Sequence, residues 1–481
     1  MRTLLSELPH GRCPYHGAGC SGHHPQNAAF SSAGAPATDY AFEMANSTIR
    51  FGPGVTAELG ADVVGVGAKR VMVFSDANIA ALPGGPLART LSSLRRAGLE
   101  PHVFTAVAIE PTEQSLFVAI AEAQRYAPDA IVAVGGGSVM DTAKAANLYL
   151  SHPKADFLDF VNAPIGKGLP VPGPVRPLFA IPTTAGTGSE TSGVAIFDYA
   201  PAKAKTGIAS RILKPTLGLV DPENTASAPP SVAVAAGFDV LCHALESYTA
   251  LPYSQRAPRP ATPQLRPAYQ GSNPMSDVWA VHSLRLLAKY FVRSIADRGD
   301  VEANAAMTLA ATAAGVGFGS AGVHLCHGCS YAISGLNKSY RHPGYESVSK
   351  PLVPHGISVV MGAPAIFRRT AHVCPDRHLE AARILGGENP PAVVSLAASG
   401  GSASGASPED AGKRLAEQVT RYMHTLKVPN GLGAMGFTRQ DIPALVQATL
   451  PQRRVLSLAP SAACASSDAL SEIFADSMDI Y

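Results

Sequence analysis

One stretch restricts the fold of this chain more than any other: DAIVAVGGGSVMDTAKAANLYLS, residues 129–151. An apolar run without period-two polarity is followed by three glycines and a serine, and then at once by helical periodicity. A strand lacking polar alternation is buried on both faces, which happens in parallel sheets covered by helices. The same unit recurs upstream. RVMVFSD (70–76) and EPHVFTAV (100–107) read as short buried strands, PLARTLSSLRRAG (86–98) and EQSLFVAIAEAQRYA (113–127) as helices. This alternation predicts an α/β domain with a parallel, Rossmann-like sheet.

After about residue 228 the pattern changes. PPSVAVAAGFDVLCHALESYTA, MSDVWAVHSLRLLAKYFVRSIA, VEANAAMTLAATAAGVGFGSA and EDAGKRLAEQVTRYMHTL all carry helical periodicity. The expected organisation is a flexible leader over 1–40, an α/β dinucleotide-binding domain over 41–228 and an all-α metal-binding domain over 229–481. DPENTASAPPSV (221–232) serves as the join. Stretches 251–274 and 335–354 read as irregular, and the Ser/Gly-rich 395–410 as a surface loop.

Composition closes off several classes. At 481 residues and 46% hydrophobic, the chain can fill two cores. A net charge of +2 with 15% charged residues gives no footprint for nucleic acid. No apolar run approaches the roughly 18 residues that span a bilayer. Seven scattered cysteines, an odd number, indicate a reducing compartment and no disulfide framework. The leader is poor in acids, holds Arg2 and Arg12 and lacks an apolar signal core, so an organelle transit peptide or a bacterial extension both fit. Its His10, Cys13, His16, Cys20, His23 and His24 are compatible with a small zinc site, but their spacing matches no standard finger, and glycine and proline throughout favour a disordered leader.

Two glycine-bearing loops point to a nucleotide. A lone GGGS is compatible with an ordinary tight turn, but Gly136, Gly137 and Ser138 also open a helix, whose free N–H groups and dipole suit a phosphate. A second strand, in PLFAIPTTAGTGSETSGVAIFD (177–198), ends in Thr183, Thr184 and a run of glycine and hydroxyl residues. Loops at the carboxyl ends of strands are where open α/β sheets bind ligands. Asp76, ending an earlier strand, is placed to accept from a ribose.

The helical half carries a different chemistry. In GFDVLCHALESYTA (237–250), Asp239 and His243 are four residues apart on one helix face. GVHLCHGCS adds His324 and His327, and LVPHG adds His355. One carboxylate with several neutral imidazoles is a mixed oxygen and nitrogen donor set for a divalent first-row metal. Cys326 and Cys329 form a CxxC without a second pair and are read as packing.

Together, Asp76, GGGSVMDTAK, TTAGTGSET, KTGI, the DxxxHxxE of 239–246, HLCHG and VPHG resemble, in order, the iron-dependent (group III) alcohol dehydrogenases, from about Asp39 to Tyr481. The resemblance implies the dehydroquinate synthase-like architecture, with Fe(II), or alternatively Zn(II), held by Asp239, His243, His327 and His355. It implies NAD contacts at Asp76, Gly136, Gly137, Ser138, Asp141, Thr183, Thr184 and Lys205. Glu246 is not a ligand in that scheme and is expected to anchor its helix at the domain interface. Four protein ligands leave room for substrate only beyond tetrahedral coordination, which Fe(II) accepts better than structural zinc.

Closer still, DYAFEMANSTIRFG, FDVLCHALESYT, RPAYQGSNPMSD and the DIPALV and TLPQRR segments resemble the hydroxyacid–oxoacid transhydrogenase branch. That likeness implies oxidation of 4-hydroxybutyrate to succinate semialdehyde, coupled to reduction of 2-oxoglutarate to 2-hydroxyglutarate through tightly bound NAD. Many members carry a proton-relaying histidine where this chain has Tyr331. Tyr331 and His324 are therefore the candidate catalytic residues, with a solvent path as the third route. Substrate carboxylates need cations, and the irregular stretches offer Arg256, Arg259 and Arg266, then Lys338, Arg341 and Lys350. The expected partners are small hydroxy and oxo acids and a second copy in a homodimer, with no nucleic acid and no membrane. The expected location is the mitochondrial matrix in a eukaryote or the cytoplasm in a bacterium. The competing readings are a conventional NAD(P)-linked dehydrogenase that releases its cofactor, a dehydroquinate synthase-like lyase, and a catalytically silent binding protein.

Overall fold

The computed structural model describes residues 37–202, 204–388 and 407–481. The leader's histidine–cysteine cluster and residues 395–406 lie outside the described residues. Eight strands occur among those described: β1 (Thr48–Phe51), β2 (Val71–Phe74), β3 (His102–Phe104), β4 (Ala130–Gly135), β5 (Leu178–Pro182), β6 (Val194–Tyr199), β7 (Ala204–Ala209) and β8 (Leu217–Val220). Six of them form one parallel sheet in the order β1-β8-β5-β4-β2-β3. Every residue of β2, β4, β5 and β8 is buried, as the unbroken apolar runs require. Helices Pro86–Arg96, Glu113–Tyr126 and Gly137–Ser151 supply the covering layers.

The topology fixes where a ligand can sit. From β2 the chain moves outward to β3, and from β4 it moves the other way to β5. Order therefore reverses between the neighbours β2 and β4, opening a crevice at their carboxyl ends. Asp76 follows β2 and the three glycines begin at the end of β4, so both border that crevice. The antiparallel ribbon β6–β7 was not anticipated. Its first strand overlaps the apolar end of the 177–198 segment.

The helical part begins with Pro230–Thr249, whose proline at the first turn sacrifices no hydrogen bond. Pro274–Ala296, Val301–Ala321, Leu325–Gly335, His355–Met361 and further helices pack about one core that includes Phe238, Leu284, Phe291, Ile357, Phe367 and Phe474. No single described helix is long and apolar enough to cross a membrane. The two parts meet backbone to backbone. Gly188 has φ +58°, and a Cβ there would lie 2.6 Å from Gly315 Cα. Beside this contact the buried Thr312 hydroxyl donates to Glu190 at 2.8 Å.

Candidate active site

A cavity of about 470 Å³ lies between the sheet's carboxyl edge and the helical part. Asp76, Gly136, Gly137, Ser138, Asp141, Thr183, Thr184 and Lys205 line one side, and Asp239, His243, His327, Tyr331 and His355 the other. Residues far apart in sequence, from Asp76 to His355, thus share one pocket of ordinary ligand size.

On the sheet side the two loops touch each other. A Cβ on Gly136 would stand 3.3 Å from the Thr184 side chain, and one on Gly137 2.7 Å from Thr187 Cγ2. Glycine keeps this cradle open for a close backbone approach. The threonine loop is pinned from beneath by Lys144. Its fully buried Nζ donates to the Ser189 carbonyl (2.8 Å), Ser189 Oγ (2.6 Å) and the Val194 carbonyl (3.0 Å). Burial pulls this ammonium down to about 8. Asp141 lines the cavity while its carboxylate accepts from Ser189 Oγ (2.9 Å) and the Ile196 N–H (3.0 Å). Asp76 caps the helix Ala77–Ala80 through Oδ1, which accepts from Asn78 and Ile79. Lys205 is held between Glu110 (2.6 Å) and Asp198 (2.9 Å).

On the helical side three imidazoles converge on one oxygen. Nε2 of His243, His327 and His355 stand 3.6, 3.5 and 3.6 Å from Asp239 Oδ1. Asp239, His327 and His355 form the tightest group, each offering an atom within 4.8 Å of the other two. Asp239 Oδ1 and His327 Nε2 are buried without a hydrogen-bond partner. Such orphaned polar atoms are expensive unless something sits between them. Two ligands bound to one ion at bonds of ~2.1 Å are ~3.0–3.4 Å apart at octahedral to tetrahedral angles. The observed spacing is slightly wider than that, and the donor set fits a divalent cation.

Local structure makes this convergence possible. Asp239 and His243 are one turn apart on Pro230–Thr249, and His355 begins the helix His355–Met361. Gly356 lets that helix press against the first. A Cβ there would fall 1.8 Å from the Ala235 carbonyl oxygen. His243 is also held in place by stacking on Phe318, with ring centroids 3.9 Å apart.

Glu246 holds His327 from behind. Its Oε1 accepts the backbone N–H groups of His324 (3.0 Å), Cys326 (2.7 Å) and His327 (3.4 Å), and its Oε2 meets Nδ1 of the His327 ring. With Nδ1 occupied in this way, Nε2 is presented to Asp239, as in a carboxylate–histidine–metal arrangement. Glu246 thus anchors Leu325–Gly335 to Pro230–Thr249 inside the helical core. The expectation that it works at the domain interface is corrected.

The charges respond accordingly. Burial pushes the Asp239 carboxyl up, but His243, His355 and His327 outweigh it and hold it below the usual range. Burial brings His243 down to about 3 and lowers His355 as well. For His327 burial again favours the neutral ring, yet Glu246 and Asp239 on either side raise it well above the ordinary value.

Other expected residues fall elsewhere. His324 is fully buried behind Glu246, hydrogen-bonded through Nε2 to Thr249 Oγ1 (3.0 Å), and does not line the cavity. As the residue just before Leu325–Gly335 it is turned into the core, so the structure does not place it in a proton path. Tyr331 does line the cavity, its ring parallel to His355 at 6.4 Å. Of the basic loop residues, Arg266 is forked onto Asp39 (3.0 and 2.9 Å), Lys338 reaches Asp441 (2.7 Å), and Arg341 caps the carbonyls of Val348, Ser349 and Lys350. Arg256 pairs with Asp39, Arg259 bonds the Thr38 carbonyl, and Lys350 lies 3.6 Å from Asp198. None of the six lines the cavity. Arg454, Tyr269 and Phe318 do, and were not singled out, although Arg454 ends the quoted TLPQRR segment. Only its sequence-distant neighbours give it meaning.

A nucleotide cradle facing an oxygen and nitrogen donor set across one cleft is the layout of a metal-dependent dehydrogenase. The family of iron-containing alcohol dehydrogenases matches residues 46–222, and the C-terminal part of that family matches 268–478. The chain belongs to this family and is an oxidoreductase acting on CH–OH groups. It is similar to the mitochondrial hydroxyacid-oxoacid transhydrogenase of Rattus norvegicus, 54% identical over 92% of this chain and 91% of that one. Among solved structures it resembles a 1,3-propanediol oxidoreductase (TM-score 0.75, 23% identity, 91% of this chain and 100% of that one). It also resembles the sulfoacetaldehyde reductase of Bifidobacterium kashiwanohense in complex with NAD+ (TM-score 0.70, 22% identity, 91% and 98%). At these identities the structures speak for the fold: a parallel-sheet α/β part followed by a helical part.

Proposed function

We propose that this chain is a hydroxyacid–oxoacid transhydrogenase, oxidising 4-hydroxybutyrate to succinate semialdehyde while reducing 2-oxoglutarate to 2-hydroxyglutarate. The observation that carries the proposal is the orphaned pair Asp239 Oδ1 and His327 Nε2, joined by the imidazoles of His243 and His355 and facing the glycine cradle within one cavity. The name of the 54%-identical rat protein supports the substrate class, and its mitochondrial designation supports that location.

In this reading Asp239, His243, His327 and His355 hold Fe(II), or Zn(II), and the loops at 136–138 and 183–184 hold NAD. When bound, these groups supply Lewis-acid polarisation of the substrate oxygen and a hydride acceptor and donor. The chain's own share is alignment and exclusion of water. Glu246 fixes the ring and tautomer of His327. Tyr331, rather than the buried His324, carries the proton to or from the cleft. Lys144 keeps the threonine loop in place.

The test uses Fe(II)-loaded protein with 4-hydroxybutyrate and 2-oxoglutarate and no added nicotinamide, both products being followed by mass spectrometry. Equal amounts of succinate semialdehyde and 2-hydroxyglutarate, in excess of enzyme, are the expected result. Turnover only after adding free NAD would replace the proposal with a conventional dehydrogenase.

A further inference from the structure

Two cationic side chains line the cavity, Lys205 and Arg454. Their situations differ. Lys205 is neutralised by two carboxylates, at 2.6 and 2.9 Å. Arg454 has no carboxylate partner among the described residues. One of its nitrogens donates to Tyr331 Oη at 3.1 Å, its Cζ lies 4.9 Å from the centre of the Tyr269 ring, and its Nη1 is buried with no partner at all. A half-buried guanidinium that meets two phenol rings and leaves Nη1 shut off from solvent without a partner is costly to maintain. Its planar fork is shaped for a carboxylate.

Its position relative to the donor set is defined by two chains of rings. Tyr331, which takes the hydrogen bond from Arg454, is parallel to His355 at 6.4 Å. Tyr269, beneath the guanidinium, meets Phe318 at 6.3 Å, and Phe318 stacks on His243 at 3.9 Å. Between Arg454 and the converging imidazoles there is thus a wall of apolar ring surface. It suits a molecule with an oxygen at one end, a carboxylate at the other and a few methylene groups between.

We infer that Arg454 is the anchor for the substrate's remote carboxylate, the one away from the reacting carbon, and that it selects short hydroxy and oxo acids over uncharged alcohols. This deepens the transhydrogenase reading and rests on it for the identity of the acids. It also moves the anchor from the irregular loops to the segment after Gln452, where no basic loop residue reaches.

The experiment compares wild type, R454Q and R454K, metal-loaded, after thermal unfolding has shown that each is folded. Steady-state rates are measured with 4-hydroxybutyrate and with 1-butanol, its analogue lacking the carboxylate, each with an uncharged aldehyde as the hydride acceptor. Binding of 2-oxoglutarate is measured separately by calorimetry. The expected result is a KM for the acid raised roughly 100-fold in R454Q, with a much smaller change in kcat, partial rescue by R454K, and a KM for butanol that moves far less than that for the acid. Calorimetric affinity should fall in parallel. An R454Q enzyme with the wild-type KM and wild-type 2-oxoglutarate affinity overturns the anchor while leaving the transhydrogenase reading standing. A wild type that exchanges no hydride between the acids, yet binds 2-oxoglutarate only when Arg454 is present, overturns that reading and keeps the anchor. If R454Q does not fold, R454K decides. Its fixed charge without the fork should still raise the KM several-fold, and a wild-type KM would again refute the inference.

Discussion

Replacing Glu246 with glutamine tests the logic of the donor set without touching a ligand. The side chain is fully buried, with two good backbone bonds and one long one on Oε1 and the His327 ring on Oε2. In E246Q the amide oxygen can retain the backbone N–H groups, which leaves the NH2 facing Nδ1 of His327. The ring must then accept at Nδ1 and carry its proton on Nε2, the atom aimed at Asp239 Oδ1 from 3.5 Å. A metal has to displace that proton. Metal affinity should fall roughly 10–100-fold, while the metal-free protein loses only about 1–2 kcal/mol, one charge-assisted hydrogen bond. E246L should behave differently. It strands two close N–H donors at about 1–3 kcal/mol each, so its metal-free stability should drop by about 2–6 kcal/mol. Affinity is read by competition with a chromophoric chelator for Fe(II) and Zn(II), and stability by thermal unfolding of the stripped protein. E246Q binding metal within twofold of wild type, in a protein where H327A does not bind, would refute the tautomer argument.

G356A should destabilise the fold by roughly 3 kcal/mol, because the added methyl meets backbone, at 1.8 Å from the Ala235 carbonyl oxygen, and the two helices must part. Its melting temperature and its metal affinity should fall together. Acid should act on two histidines that are not ligands. Burial brings His324 and His378 to about 4 each, against 6.5 for a free ring, so the unfolded chain binds protons that the folded chain refuses. Their stabilisation is complete above 6.5 and is lost as pH falls through 4. His327, whose value is raised, works with the opposite sign and loses its contribution as pH rises through its folded value. A denaturant midpoint that stays level from pH 7 to 4.5, or an H378N variant with the same acid slope, would contradict this account.

What the sequence disclosed was what local pattern encodes. The buried strands at 71–74 and 130–135 announce a parallel sheet because nothing polar interrupts them, and the glycines after Gly135 announce a close approach. Asp239 and His243 share a helix turn, so their pairing is legible at once. His327 and His355 become credible only as members of an ordered set of motifs, since no local rule brings three helices together. Substrate recognition was the least legible. Basic residues in irregular stretches are easily noticed, yet Arg266, Lys338 and Arg341 are bound to nearby acids or carbonyls. Arg454 follows an undistinguished proline turn, and its solitude as a cation emerges only once Tyr331 and Tyr269 surround it. His324 misled for a related reason: three residues of spacing cannot tell whether a ring at a helix start turns to the cleft or to the core.

The contact between Gly188 and Gly315 has a mechanical consequence. Where two backbones touch with no side chain between them, neither can move closer, and any separation forfeits the whole contact at once. The threonine loop and the helix Val301–Ala321 are therefore held in fixed register there. Any side chain larger than hydrogen at position 188 or 315 would therefore wedge the loop that lines the cavity away from the helix Val301–Ala321.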